Sequence, residues 1–243
     1  MGSSRTHCQS HRTPSALKGF SLIEILIALG IVSIIMSVAL SGNGSFNKSI
    51  LLSQAAYSVA TTIREAQSYG IANRSLDINA GYGFHINMGS GPTKEYLVFA
   101  DTYPYAYYAG SEECHGNEDY RLPDAKPGNC LYDPADDMLI HSYSLQKDIA
   151  ITAFCGTRAD GQFLCTPISD QSQTCTPWSD GGPEELSIVF SRPNTGAMLK
   201  GLYSNGYRED FVEVTLAIQT PDLSTRYVTV RDTGQVSVHT TCP

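Results

Sequence analysis

The residues best placed to do chemistry lie near the start of the chain, in Lys18-Gly19-Phe20-Ser21-Leu22-Ile23-Glu24. Glu24 is the only charge in the run from Phe20 to Leu40. A carboxylate at the centre of a membrane helix costs about 2.5–3.5 kcal/mol on insertion scales, so such a residue ordinarily has a partner or a function. No basic residue lies inside the run. Cutting the chain between Gly19 and Phe20 would supply a cation, because it frees an α-amino group at Phe20, one helical turn from Glu24. That amine can pair with its own Glu24 or with the Glu24 of a subunit packed alongside.

The other candidates are weaker. His85, His115, His141 and His239 each stand alone in a different segment, with no H-x-x-x-H or H-E-x-x-H spacing to put two ligands on one helix face. Cys114-His115 with Cys130 resembles a zinc corner in composition, but no C-x-x-C spacing accompanies it and disulfide formation accounts for it better. Asp133, Asp136 and Asp137 could offer oxygens to calcium, although their spacing is not that of an EF-hand and an acidic loop is usually just solvated. No G-x-S-x-G elbow, P-loop or dinucleotide fingerprint is present, so a structural subunit without cofactor is expected rather than an enzyme.

The element that must position Glu24 is the apolar run itself. About 20 apolar residues form a helix long enough to cross the hydrocarbon layer, so Phe20–Leu40 is expected to span a membrane. Arg5, Arg12 and Lys18 precede it with no acid among residues 1–19, which places that leader on the cytoplasmic side and the rest of the chain outside. Cleavage at a secretory-type site is disfavoured, because the run exceeds the usual apolar core of a signal peptide and no small-x-small site follows.

Gly19-Phe20-Ser21-Leu22-Ile23-Glu24 behind a basic leader resembles the processing site of the type IV prepilin and pseudopilin superfamily. The resemblance implies that prepilin peptidase cuts between Gly19 and Phe20, that the new N-terminal Phe20 is methylated, and that Glu24 guides docking into a filament. Other pilins or pseudopilins in that filament are then the partners, together with the cytoplasmic membrane.

Removing residues 1–19 from the 243-residue chain leaves 13 basic against 24 acidic residues, a balance of −11. Such a surface repels nucleic acid unless Arg192, Lys200, Arg208, Arg226 and Arg231 converge on one face. The seven cysteines become six when Cys8 leaves with the leader. All six lie beyond the membrane helix, where an oxidising compartment permits disulfides. Several connectivities remain open. Near-neighbour pairing favours Cys114 with Cys130 and Cys155 with Cys165, leaving Cys175 to tether Cys242.

Along the chain, Ser41-Gly42-Asn43-Gly44-Ser45 weakens the helix, and beyond it Leu52, Ala56, Val59, Ile63, Ala66 and Gly70 form an apolar stripe on a helix expected over 46–73. A sheet region follows over 81–243. Strands are expected over 82–87 and 95–101 as a hairpin, then over 149–154, 186–191, 211–219, 226–230 and 235–239. The stretches 102–137 and 155–183 read as irregular insertions. The first holds Tyr103, Tyr105, Tyr107 and Tyr108, which suit either a partner interface or packing beneath their own loop. The expected class is α+β: a leader over 1–19, a membrane and filament-core helix over 20–45, and a globular domain over 46–243 in which helix packs on an antiparallel sheet. The closing strands, with Pro193-Asn194-Thr195-Gly196 and Gly234-Gln235-Val236-Ser237-Val238, are similar to those of the GspH/FimT minor pseudopilins and minor pilins. That likeness implies a low-copy subunit of a type II secretion pseudopilus or type IV pilus. A membrane-anchored adhesin or receptor that never polymerises, and a DNA-binding competence pilus subunit, are the alternatives.

Overall fold

A computed structural model describes residues 19–41, 43–72, 81–102, 128–146, 148–166, 182–191 and 196–242. The chain divides into two units, 1–46 and 47–243.

The first unit contains helix α1 (Leu22–Ser41). It is apolar all round, and its described side chains, which run to Val38, are all exposed. A helix with no polar face has no water-facing side and is built for burial in lipid or among other helices. Among the described residues, no helix is long and apolar enough to cross a membrane. The described side chains of α1 stop short of the end of the apolar run at Leu40.

The second unit holds nearly all of helix α2 (Asn43–Ala72) and eleven strands: β1 (Gly81–Asn87), β2 (Glu95–Asp101), β3 (Met138–Ser144), β4 (Ala150–Thr157), β5 (Phe163–Cys165), β6 (Glu185–Phe190), β7 (Ala197–Leu202), β8 (Arg208–Phe211), β9 (Glu213–Gln219), β10 (Thr225–Arg231) and β11 (Val236–His239). These form two antiparallel sheets rather than the one expected, ordered β3-β2-β1-β6-β7-β8 and β11-β10-β9-β4-β5. The expected 211–219 strand is divided by a corner at Val212, so that Phe211 ends β8 in the first sheet and Glu213 opens β9 in the second. The corner is fixed from both sides, because the Val212 amide donates to Thr157 O (2.8 Å) and its carbonyl accepts from the Asp232 amide (2.8 Å). A two-way bridge between Thr93 and Ile151 joins the sheets elsewhere.

The α2 stripe at Leu52, Ala56, Val59, Ile63, Ala66 and Gly70 is buried as its spacing requires, and Leu52 to Ala66 share one core with the inner faces of both sheets. The small residues matter for their size. A Cβ on Gly70 would stand 2.3 Å from the Phe190 carbonyl oxygen, so the last turn of α2 lies directly on the end of β6.

A second, smaller core occupies the outer face of the first sheet, where Phe99, Cys130 and Val189 pack with Leu97, Tyr132 and Met198. Residues 128–137, the return of the expected irregular insertion, form its cover. The stretch 155–183 is likewise not wholly irregular, since β5 pairs back onto β4 with Cys155 opposite Cys165. Gly83 makes room for this outer core, because a Cβ there would meet the Phe99 ring at 2.4 Å. Gly83→Ala is therefore expected to lower stability by about 1–3 kcal/mol, the usual cost of overpacking. An unchanged thermal midpoint would show that the outer core has slack.

Candidate processing and assembly site

The Gly19–Phe20 bond lies in non-helical, exposed chain immediately before α1. A Cβ on Gly19 would meet nothing within 4 Å. Ser21 starts the helix: its carbonyl accepts from the amides of Glu24 (3.1 Å) and Ile25 (3.3 Å), and its hydroxyl accepts from the Glu24 amide (3.3 Å). Ser21 is thus the N-cap and Glu24 the third helical residue, the spacing of a capping box. A carboxylate in the first turn also faces the positive end of the helix dipole. The sequence carried this in Ser21-x-x-Glu24, a pattern overlooked beside the cleavage motif.

The described cysteines follow the near-neighbour pairing in part. Cys155 and Cys165 are bonded across an antiparallel pair, with Cα atoms 4.0 Å apart. Cys130 and Cys242 are also disulfide-bonded. Their expected pairings with Cys114 and Cys175 lie outside the described residues, as do His115, the tyrosines at 103, 105, 107 and 108, and Arg192.

Cys130 is held by a residue that the sequence did not single out. Asp101, fully buried at the end of β2, accepts hydrogen bonds from the amides of Asn129 (3.1 Å) and Cys130 (2.7 Å). Gly128 (φ 134°) and Cys130 (φ 61°) both have positive φ, which curls these amides around the carboxylate. Asp137 accepts from the amides of Thr102 (2.9 Å) and Asp133 (2.7 Å), while Asp133 accepts from the Ala135 amide (3.0 Å). Burial pushes the Asp137 carboxyl up to about 7 against the pull of these amides, and the charges of Asp101 and Asp133 add to the rise. The aspartates thus brace their own loop. Among the described residues, no group of three or more His, Cys, Asp or Glu is arranged to hold a metal ion.

His85 stands directly opposite Ser187 on the outer face of the first sheet. Ser187 Oγ accepts the Tyr132 N–H (3.2 Å) and shares a hydrogen bond with His85 Nδ1 (3.0 Å). His85 Nε2 lies 4.0 Å from Glu185. This Glu–His–Ser row has the composition of a hydrolytic triad, but His85 is 5% and Ser187 1% exposed, beneath the Tyr132 ring 4.9 Å from the imidazole. Its place gives it a packing role. Elsewhere His141 and the hydroxyls of Tyr69 and Tyr143 surround Glu65 of α2, at 3.9, 2.8 and 2.8 Å. Burial, with the Glu65 carboxylate adding to it, pushes Tyr143 up to about 12, so it remains the donor. Three of the basic residues named as a nucleic-acid patch are engaged within the domain: Lys200 is buried against Asp210 (2.5 Å), Arg231 pairs with Glu213 (2.6 Å), and Arg226 donates to the Thr225 carbonyl (3.0 Å).

An N-terminal helix followed by antiparallel sheets, with a cross-strand disulfide, is an α+β arrangement consistent with a type IV pilin-like fold. Residues 16–40 match the family model of the prokaryotic N-terminal methylation motif. The match marks a type IV prepilin-like processed protein and supports the pilin and pseudopilin superfamily, which is structural rather than enzymatic. Comparison with curated proteins and with solved structures finds no match.

Burial lowers the His85 pKa from 6.5 to about 3, so the unfolded chain takes up a proton between those values while the folded domain does not. Stability from this group is complete above about pH 6.5 and falls with acidification, by at most about 1.4 kcal/mol per pH unit. His85→Gln, which keeps an acceptor for Ser187 without titrating, should be less stable than the natural chain at pH 7, and the gap should narrow towards pH 4. Parallel melting-temperature curves across that range would refute the buried neutral imidazole.

Proposed function

We propose that this protein is a minor pilin or pseudopilin of the GspH/FimT type, a structural subunit of a type II secretion pseudopilus or type IV pilus. The leader lies in the cytoplasm, residues 20–40 cross the inner membrane, and the globular domain lies outside. Prepilin peptidase removes residues 1–19, Phe20 is methylated, and the subunit enters a filament through α1.

The observation that carries this reading is α1 itself. Its described side chains are apolar and exposed on every side, with one carboxylate in the first turn. In a filament core the same surface is covered by neighbouring α1 helices, and Glu24 meets a terminal amine where an unpaired charge would be costly. The open surroundings of Gly19 favour access by a peptidase. The outer-face cover at 128–137 enlarges the domain, which suits a subunit present in few copies.

Gly19→Val should leave the precursor uncut, seen as an unshifted mass on incubation with prepilin peptidase. Because a Cβ at residue 19 has no neighbour, the domain's melting temperature should not change. Glu24→Ala should leave insertion and cleavage intact but reduce recovery in sheared filaments about tenfold, the effect of losing one charge interaction of about 1.4 kcal/mol. Full co-assembly of Glu24→Ala would remove the docking role. A receptor that never polymerises would stay with the membrane fraction however the cells were sheared.

A further inference from the structure

We infer that the end of the domain from which α2 starts rests on the lipid surface through Leu223 and Tyr207. This inference builds on the membrane-anchored reading above.

Leu223 sits at the tip of the β9–β10 turn with φ at 66° and 59% of its surface exposed. Its amide donates to Thr220 O (2.9 Å), and the Thr220 amide donates to Ser224 O (3.1 Å), so the turn is closed and the left-handed residue is required by it. Glycine or asparagine would fill that position without strain. Leucine brings an unfavourable backbone and an apolar side chain in water at once. Cys130, the other described non-glycine residue at positive φ, is buried and disulfide-bonded, whereas Leu223 points out of the protein. A strained, exposed apolar tip is accounted for if something apolar receives it.

Its position indicates what does. Asp222 pairs with Lys48 in the opening turns of α2 (3.5 Å), with Ile50, itself 41% exposed, two residues further on. Tyr207, 57% exposed and packed on Tyr203, caps the β7–β8 turn in the other sheet. Both tips lie at one end of the domain. Gly70, near the end of α2, lies on Phe190, and Tyr69 lies on Tyr82, which pairs with Phe190. Earlier in α2, Ser58 meets Tyr96, two residues from the Val98 that pairs with Phe84 and towards the Asn87 end of β1. The start of α2 therefore points towards Asn87 and its partner Glu185, which faces Leu202 beside the β7–β8 turn. In sequence, Lys48 follows closely on the expected membrane-spanning run that ends at Leu40. Leucine, tyrosine and a lysine with an apolar stem are the residue types that settle at such a boundary.

The test uses the full mature chain in the Trp178→Phe background, which removes its single tryptophan, reconstituted in phosphatidylcholine–phosphatidylglycerol vesicles whose lipids carry bromine high on the acyl chains. Leu223→Trp and Tyr207→Trp should each emit to the blue and lose about twofold in intensity to bromine, as expected of side chains about 5–10 Å into the boundary. Thr233→Trp, exposed in the β10–β11 turn held by Gln67 near the other end of α2, should emit as in water and stay unquenched. Met36→Trp, towards the domain's end of the 20–40 span and so at the depth of these bromines, reports the anchor. Quenching at 36 with water-like emission at 223 and 207 overturns the lipid contact and leaves the anchored reading standing. Absence of quenching at 36 overturns both. Equal quenching at 233 also overturns the inference, because no end of the domain is then preferred. So does a blue shift at 223 that arises only on co-assembly with filament subunits, which would assign the tip to a neighbouring chain.

Discussion

The close seat of α2 on its sheets is the contact from which the domain is built. It requires small side chains, because Gly70 lies against a main-chain oxygen of β6 and Ala55, Ala56, Ala60 and Ala66 line the same face. Small residues bury little apolar area each, so the larger share of burial comes from what they allow to approach: Phe84, Phe154, Phe190, Ile151, Leu216 and Ile218 are all fully buried. The polar side of the helix then has short reach to the sheets. Arg64 donates to the Val236 carbonyl (2.9 Å), Gln67 to the Gly234 carbonyl (3.2 Å), and Glu65 collects two tyrosine hydroxyls. The helix is held by its core face and by its flanks, which fixes its rotation as well as its depth.

Two cores on opposite faces of one sheet explain why the insertion after β2 does not disturb the fold. The inner core satisfies the alternating apolar residues of β1, β2 and β6, and the outer faces of these strands carry Gly83, His85, Leu97, Phe99, Ser187 and Val189. Left bare, that face would expose an apolar patch beside polar groups with no partners. Residues 128–137 cover it with the Tyr132 ring and satisfy it with main-chain donors. Asp101 anchors the cover electrostatically and the disulfide at Cys130 anchors it covalently.

The sequence spoke most clearly where one period ran long enough. The stripe of α2 repeats over five turns, and β1 and β2 are bounded by glycine and proline, so their limits are found within a residue. β3, β7 and β8 were missed for reasons that are physical. β3 is an edge strand, mostly exposed and without a clean alternation, and β7 contains Lys200 and Gly201 on an otherwise apolar pattern. Their register comes from neighbours, β2 and β6, rather than from their own residues. The corner at Val212 is likewise invisible in an unbroken apolar run, because what divides it is a pair of main-chain bonds to Thr157 and Asp232 that are remote in sequence. At the N-terminus the opposite holds: the methylation motif over residues 16–40 is legible because it is contiguous in sequence.

That locality bears on how α1 and the domain divide their tasks. In the domain, buried charge is matched inside the chain: Lys200 has Asp210, Glu209 has Arg158 at 2.8 Å, and Asp101 has the amides of residues 129 and 130. In α1 the carboxylate of Glu24 lies in the first turn, where the positive end of the helix lowers its cost in part. Under the proposed filament role, the partner of Glu24 is supplied by a neighbouring subunit. A peptide amide at Phe20 cannot serve as that partner, since it carries no charge. An α-amino group can, so under the proposed filament role proteolysis and docking would be coupled: the cut that removes the basic leader would also equip each subunit with a cation for its neighbour's Glu24.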